Sequence, residues 1–252
     1  MRVGAHVPSA RPLNEASLRG ADVAQIFLSS PHQWRPPLLR ADAEILRDAG
    51  IPIYVHAPYL INMASSNPRV RSSSRKLLAE TVDAAERIGA EGVVVHGGHA
   101  TGDATFEGGL ERWRKALQSI ESPVPILIEN TAGGEHAMAR TIEDIAELWD
   151  AIGEFGIGFC LDTCHAWAAG EELEDLVSRV VGAAGRIDLV HANDSKDLFG
   201  SRRDRHTNLG DGEIPTELLI HVIRGAGAPV VVETPEGAEA QATDIAWIRD
   251  RL

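Results

Sequence analysis

Short runs of β-branched and apolar residues punctuate the chain at 2–7, 23–28, 51–57, 92–97, 124–130, 156–162, 187–193 and 229–234. Between them lie stretches in which apolar residues return every three or four positions, at 13–20, 38–49, 69–89, 107–120, 141–153, 172–185, 215–225 and 240–251. The first set has the length of buried strands, the second the period of amphipathic helices. A strand followed by a helix eight times over requires parallel pairing through crossover helices. Eight such units in 252 residues is the arithmetic of an α/β protein with a (β/α)8 TIM barrel. The competitor is a doubly wound open sheet, yet neither G-x-G-x-x-G nor a phosphate-binding loop follows the first strand. No linker or shift of composition divides the chain, which predicts a single barrel domain over residues 1–252.

The strand-like runs share a second regularity, in what stands at their ends. The third closes on His56, the fourth on His96, the fifth on Glu129, the sixth on Asp162, the seventh on His191 and the eighth on Glu233. In a barrel the C-terminal strand ends converge on one mouth, so residues far apart in sequence become neighbours around the axis. One such residue reads as a hydrogen-bonded polar group at a strand end. Six in succession read as metal ligands, and imidazole with carboxylate suits zinc, manganese or iron better than magnesium. Beyond the sixth run, Asp162-Thr163-Cys164-His165 adds His165. Beyond the seventh, Asp204-Arg205-His206 adds two ligand types at i and i+2, which an extended loop projects to one side. Catalytic zinc takes about three protein ligands and keeps a position for water, so nine candidates suggest three ions. Asn130, Asn193 and Asp194, adjacent to ligands in sequence, are candidates to hydrogen-bond them. His6 and His99 are expected near the mouth but outside the ligand set, and His136 and His221 in solvated or structural roles.

Charge complicates this picture. The chain carries 24 Lys plus Arg against 37 Asp plus Glu, a formal charge of −13, which argues against a nucleic-acid partner because the phosphate backbone rewards clustered positive charge. With 44% hydrophobic and 24% charged residues, wholesale disorder is excluded. No stretch approaches the roughly 18 apolar residues of a membrane span, and the first residues form no apolar secretion signal; a cytoplasmic protein with no membrane partner is expected. The two cysteines, Cys160 and Cys164, are spaced as neither a C-x-x-C redox pair nor half of a zinc ribbon, and read as buried reduced thiols.

The runs G-A-H-V (4–7), H-A-P-Y-L-I-N (56–62), I-E-N-T-A-G (128–133), C-L-D-T-C-H-A-W-A-A-G (160–170), H-A-N-D-S-K (191–196), F-G-S-R-R-D-R-H-T-N-L-G-D-G (199–212) and V-E-T (232–234) resemble, in order and over the whole chain, endonuclease IV, the zinc-dependent abasic-site endonuclease family. The resemblance implies a xylose-isomerase-like barrel with a trinuclear zinc site, Mn²⁺ or Fe²⁺ substituting in part. His56 and His96 would hold one ion, Asp162, His191 and Glu233 a second, with Glu129 bridging them, and His165, Asp204 and His206 the third. It further implies a monomeric base-excision-repair nuclease that cuts damaged duplex DNA on the 5′ side of abasic sites, leaving a 3′ hydroxyl and a 5′ deoxyribose phosphate, with trimming of blocked 3′ ends. Tyr59 and Leu60 match positions that the family inserts into the duplex. His32 stands where some relatives carry an inserted arginine, a departure that bears on how the abasic gap is gripped.

Two other classes compete. A single-metal sugar isomerase or epimerase of the same barrel class needs only Glu129, Asp162, His191 and Glu233, and has no use for the other five ligands. A non-catalytic damage-binding protein would have lost at least one ligand of the hydroxide-bearing pair, and none is missing. The charge objection also has a local answer. Three divalent ions would bring the formal charge to about −7 and leave their own site, with four carboxylate ligands, at about +2. Arg69, Arg71, Arg75 and Lys76, and Lys196, Arg202, Arg203 and Arg205, follow mouth-lining strands, so a positive mouth on a negative body is expected.

Overall fold

Alternation along the strands decides what fills the barrel. The computed structural model describes residues 1–102 and 104–252. It contains strands β1 (Val3–His6), β2 (Ala24–Phe27), β3 (Ile53–His56), β4 (Gly92–His96), β5 (Ile126–Glu129), β6 (Gly158–Asp162), β7 (Leu189–His191), β8 (Asp194–Ser195), β9 (His206–Thr207) and β10 (Val230–Val232). Eight of them close into a parallel barrel in the order β1-β10-β7-β6-β5-β4-β3-β2, while β8 and β9 pair antiparallel as a separate ribbon. The register sets His96 beside Glu129 and Asp162 beside His191 on neighbouring strands.

Successive side chains of a strand point to opposite faces. One set, with Val55, Val93, Val95, Ile126, Ile128, Phe159 and Val190, joins the large core between the barrel and its helices. The other forms a smaller cluster of Val23, Tyr54, Val94, Leu127, Cys160, Leu189 and Val231 that fills the barrel as a plug. Two residues further along each of those seven runs stand Gln25, His56, His96, Glu129, Asp162, His191 and Glu233. The barrel interior is thus an apolar floor under a polar layer.

The helices are α1 (Pro12–Leu18), α2 (Ala43–Arg47), α3 (Pro68–Arg87), α4 (Phe106–Leu117), α5 (Ile142–Ile152), α6 (Thr163–Ala169), α7 (Leu176–Ala184), α8 (Thr216–Ala226) and α9 (Gly237–Arg249). Several start where side chains satisfy the free N–H groups of the first turn. The Asn67 side chain accepts from Arg69 N in α3, Thr105 accepts from Gly108 N in α4, and Thr141 with Asp144 forms a capping box on α5.

Four elements differ from expectation. The helix expected over 38–49 shrinks to α2, because Pro36 and Pro37 favour extended backbone and Leu38 and Leu39 face solvent with nothing to pack against. The stretch after β6, outside the expected helices, is helix α6, whose first turn is capped by Asp162 itself, its Oδ1 accepting from His165 N. The helix expected over 172–185 is confined to α7, and the β8–β9 ribbon was not foreseen.

Candidate metal centre

The polar layer places all nine expected ligands at one mouth, crowded in four groups. His56, His96 and Glu129 form one, Glu129, Asp162, His191 and Glu233 a second, and Asp162, His165 and His206 a third; Cys164, Asp204 and His206 overlap the third. Glu129 is central and fully buried. Its Oε2 lies 3.2 Å from Nε2 of both His56 and His96. Its Oε1 lies 3.0 Å from His191 Nδ1 and 3.3 Å from His165 Nδ1. One carboxylate therefore faces two groups with different oxygens. Asp204 closes the third from the exposed side, with Oδ2 3.2 Å from His165 Nε2 and Oδ1 3.1 Å from His206 Nε2.

Three of the histidines are locked from behind. Nδ1 of His56 lies 2.7 Å from the Ala57 carbonyl oxygen, Nδ1 of His165 2.9 Å from that of Asn130, and Nε2 of His191 2.9 Å from Gln25 Oε1. A carbonyl oxygen only accepts, so each of these nitrogens carries the proton, and a neutral ring offers its other nitrogen as a lone pair. For His56 and His191 that nitrogen faces the Glu129 carboxylate, and for His165 it faces Asp204. The Gln25 amide is itself oriented: its Nε2 donates to Glu233 Oε1 at 2.7 Å, which leaves Oε1 for His191. His6 also reaches Glu233 Oε1, at 3.1 Å.

Charge is compressed here. Burial would raise Glu129, but His191 and His96 hold its carboxyl well below the usual range. Glu233 is likewise held down, against burial, by His191 and a hydrogen bond from His6. Asp204 is pulled down, also against burial, by His165 and His206. Burial would lower the imidazoles of His165, His191 and His206, yet the surrounding carboxylates, and Cys160 beside His191, raise all three above the ordinary histidine value. Burial pushes the Cys160 and Cys164 thiols up to about 12, so both stay protonated near neutral pH.

The donor set fits divalent ions. Nε2 of His165 and of His206 are buried without a hydrogen-bond partner, although an Asp204 oxygen stands within 3.2 Å of each; these oxygens approach off the line along which a ring N–H donates. Ligands 2.0–2.1 Å from a tetrahedral ion stand about 3.3 Å from one another. The nitrogen–oxygen separations of 3.0 to 3.3 Å around Glu129 and Asp204 match that spacing.

Residues next to the ligands divide by what they touch. Asn130 and Asn193 hold Asp162: Asn130 Nδ2 donates to its carbonyl, Asn130 Oδ1 accepts from its N–H, and Asn193 Nδ2 donates to Oδ2. Asp194 touches no ligand. Its buried carboxylate accepts from the backbone N–H groups of Ser195, Gly210, Gly212 and Ile214 and so folds the loop that carries Asp204 and His206. His99 stands on the mouth, in the wall of a cavity of about 340 Å³ shared with Tyr59, Asn62, Arg202 and Asp204. The His136 carbonyl accepts from Ala100 N, and His221 meets the Glu174 carbonyl.

Tyr59 is 44% exposed; it stacks on His96 with ring centroids 5.5 Å apart and stands edge-on to His56. Leu60 follows it, half-buried. His32 lies 5.5 Å from the Tyr59 ring. The expected crowd of free cations is thinner than its count: Asp197 pairs with Arg203 and Arg205, and Lys76 lies 3.9 Å from Glu80. Arg202 remains in the mouth, on left-handed backbone at φ 59°.

Gln25 and Cys164 escaped the sequence reading. Gln25 had a legible signal: it is the one strongly polar residue in the run Val-Ala-Gln-Ile-Phe, at the strand position corresponding to the ligands. Cys164 had none, because only the turn of α6 brings its sulfur to Asp204 and His206.

The chain matches the family described as Xylose isomerase-like TIM barrel over residues 13–251. A protein named Probable endonuclease 4 from Mycobacterium leprae is 58% identical, the match covering 100% of this chain and 99% of that one. Among solved structures, endonuclease IV from Thermus thermophilus is 34% identical with a TM-score of 0.86, covering 100% of this chain and 98% of the other. A D-tagatose 3-epimerase-like protein, 21% identical with a TM-score of 0.82, shares the fold.

Proposed function

Because the chain belongs to the endonuclease IV family of xylose-isomerase-like TIM barrels, we propose that it is a zinc-dependent DNA-repair endonuclease that hydrolyses the phosphodiester 5′ to abasic sites in duplex DNA. It leaves a 3′ hydroxyl and a 5′ deoxyribose phosphate, and removes blocking groups from 3′ ends. Residues 1–252 act as one barrel domain, as a monomer in the cytoplasm. The observation that carries the reading is Glu129, fully buried, with one oxygen toward His56 and His96 and the other toward His165 and His191. A one-metal epimerase site would need only the quartet around His191.

His56, His96 and Glu129 would hold one ion, Glu129, Asp162, His191 and Glu233 a second, and His165, Asp204 and His206 the third, zinc in the main with Mn²⁺ or Fe²⁺ possible. When bound, such ions supply positive charge for the phosphate oxygens and acidify a water for in-line attack. Glu129, with one oxygen toward each group, would be shared by two of these ions and would orient the attacking water. The Ala57, Asn130 and Gln25 carbonyls keep three imidazoles in the one tautomer that leaves a lone pair for binding. Tyr59 and Leu60, with His32 against the Tyr59 ring, enter the stack where the abasic nucleotide leaves a gap.

Incision of a duplex oligonucleotide carrying one abasic analogue, with metal content measured on the same preparation, tests this. About three metals per chain and a cut directly 5′ of the lesion are expected. A fully loaded protein that does not cut would overturn the reading, and one metal with ketose turnover would replace it with the epimerase.

A further inference from the structure

A second cationic site lies outside the mouth. The groove between the first turns of α3 and the face of α4 encloses a cavity of about 280 Å³ whose wall carries Arg71, Arg75, Arg112 and Lys115. A run of cations is ordinarily a solvated face, but here three guanidiniums are half-buried and converge on one space. Two are fixed from behind. Arg71 Nη1 donates to the Ser65 and Ser66 carbonyls, and Arg112 Nη1 to the Ala64 carbonyl at 3.0 Å. A guanidinium has five N–H donors, so most remain to face the cavity.

Among the described residues, one carboxylate stands in the groove wall, and it pairs with the lysine rather than with the guanidiniums. This residue, Glu111, lies 3.5 Å from Lys115 Nζ. Among the described residues, no carboxylate oxygen comes within 4.0 Å of Arg71, Arg75 or Arg112. Burial first, then the neighbouring Arg112 and Arg75, pulls the Arg71 guanidinium below its ordinary value. Such a cluster is relieved by an anion with several acceptor oxygens, and the arginine fork matches phosphate geometry.

We infer that the α3–α4 groove is a phosphodiester-binding site that grips the DNA backbone on one flank of the lesion. The inference rests on the DNA reading above, and position favours the duplex over a small ion. The loop that carries Tyr59 at the mouth carries Met63 in the groove wall. Four residues span at most about 14 Å, and a duplex advances 3.4 Å per base pair. The groove wall at Met63 therefore lies within about four base-pair rises of the mouth, inside the footprint of a duplex seated there.

The test uses the metal-loaded full chain and the double variant R75Q/K115Q, since neither side chain supports the backbone. Binding is measured on a duplex with about twelve pairs on each side of an abasic analogue, and on duplexes trimmed to about three pairs on one side or the other. The variant is expected to bind the long duplex about tenfold more weakly, with a slope of log K against log salt shallower by about two. Its turnover at saturation should be unchanged, and trimming one particular flank should erase the difference. Equal affinities on the long duplex, or a loss that survives trimming of either flank, would overturn the site. So would saturable binding of inorganic phosphate that the variant loses while its long-duplex affinity stays intact, which would assign the groove to a small anion. Normal incision without flank dependence sinks the groove alone. Flank-dependent binding without abasic incision sinks the proposed activity and leaves the groove.

Discussion

Glu129 has no spare contact: each of its oxygens serves two imidazoles. Glu129→Gln keeps the shape and loses one of the two equivalent acceptors. Incision should fall by about 10²- to 10⁴-fold or more, with barrel-like circular dichroism retained; an active, folded variant would refute the bridging role. Gln25 acts one step removed, through His191. Gln25→Leu leaves His191 Nε2 without its acceptor and removes the shorter of the two side-chain contacts to Glu233 Oε1, leaving that of His6, and should weaken zinc binding about 10- to 100-fold in competition with a chromogenic chelator. Unchanged affinity would show that His191 keeps its tautomer without help.

At the scale of elements, the loop after β7 is built around one carboxylate. Asp194 accepts four backbone N–H groups and gathers β8, β9 and the turn at Gly210 to Gly212. Gly212 passes so close that a side chain there would strike the Asp194 carboxylate. Asp194→Ala should loosen residues 196–212, seen as faster limited proteolysis, and lower metal content by the ion that His165, Asp204 and His206 are proposed to hold. A variant that keeps all its metal would show that the ribbon holds without the clamp. This division explains what the sequence could disclose. Strand-end ligands and the eight-fold alternation are periodic, and period survives in one dimension. Gln25 against His191, Asp194 against Gly212 and Cys164 against Asp204 are pairings between elements. Helix α6 was hidden because its cap, Asp162, had already been read as a ligand.

For the whole molecule, the centre couples stability to pH. Glu129 and Glu233 have folded values below their unfolded 4.5, so their contribution is present above about pH 4.5 and is lost as pH falls through the lowered values. His165, His191 and His206 have folded values above 6.5, so theirs is present below about pH 6.5 and is lost as pH rises through the raised values. These describe the same ion pairs, and chelated protein should be most stable between about pH 4.5 and 6.5 and melt lower in alkali. Metal displaces those protons, so the rise in Tm on adding zinc should grow with pH. A zinc-induced rise that is flat from about pH 5.5 to 8.5 would contradict this. The apolar floor beneath the ligands has a kinetic consequence as well. With Tyr54, Leu127 and their neighbours sealing the barrel below, ions held as proposed would enter and leave through the face where the proposed substrate would lie. Bound DNA then acts as a stopper, and the enzyme should surrender zinc to a chelator more slowly while engaged on a lesion than while searching for one.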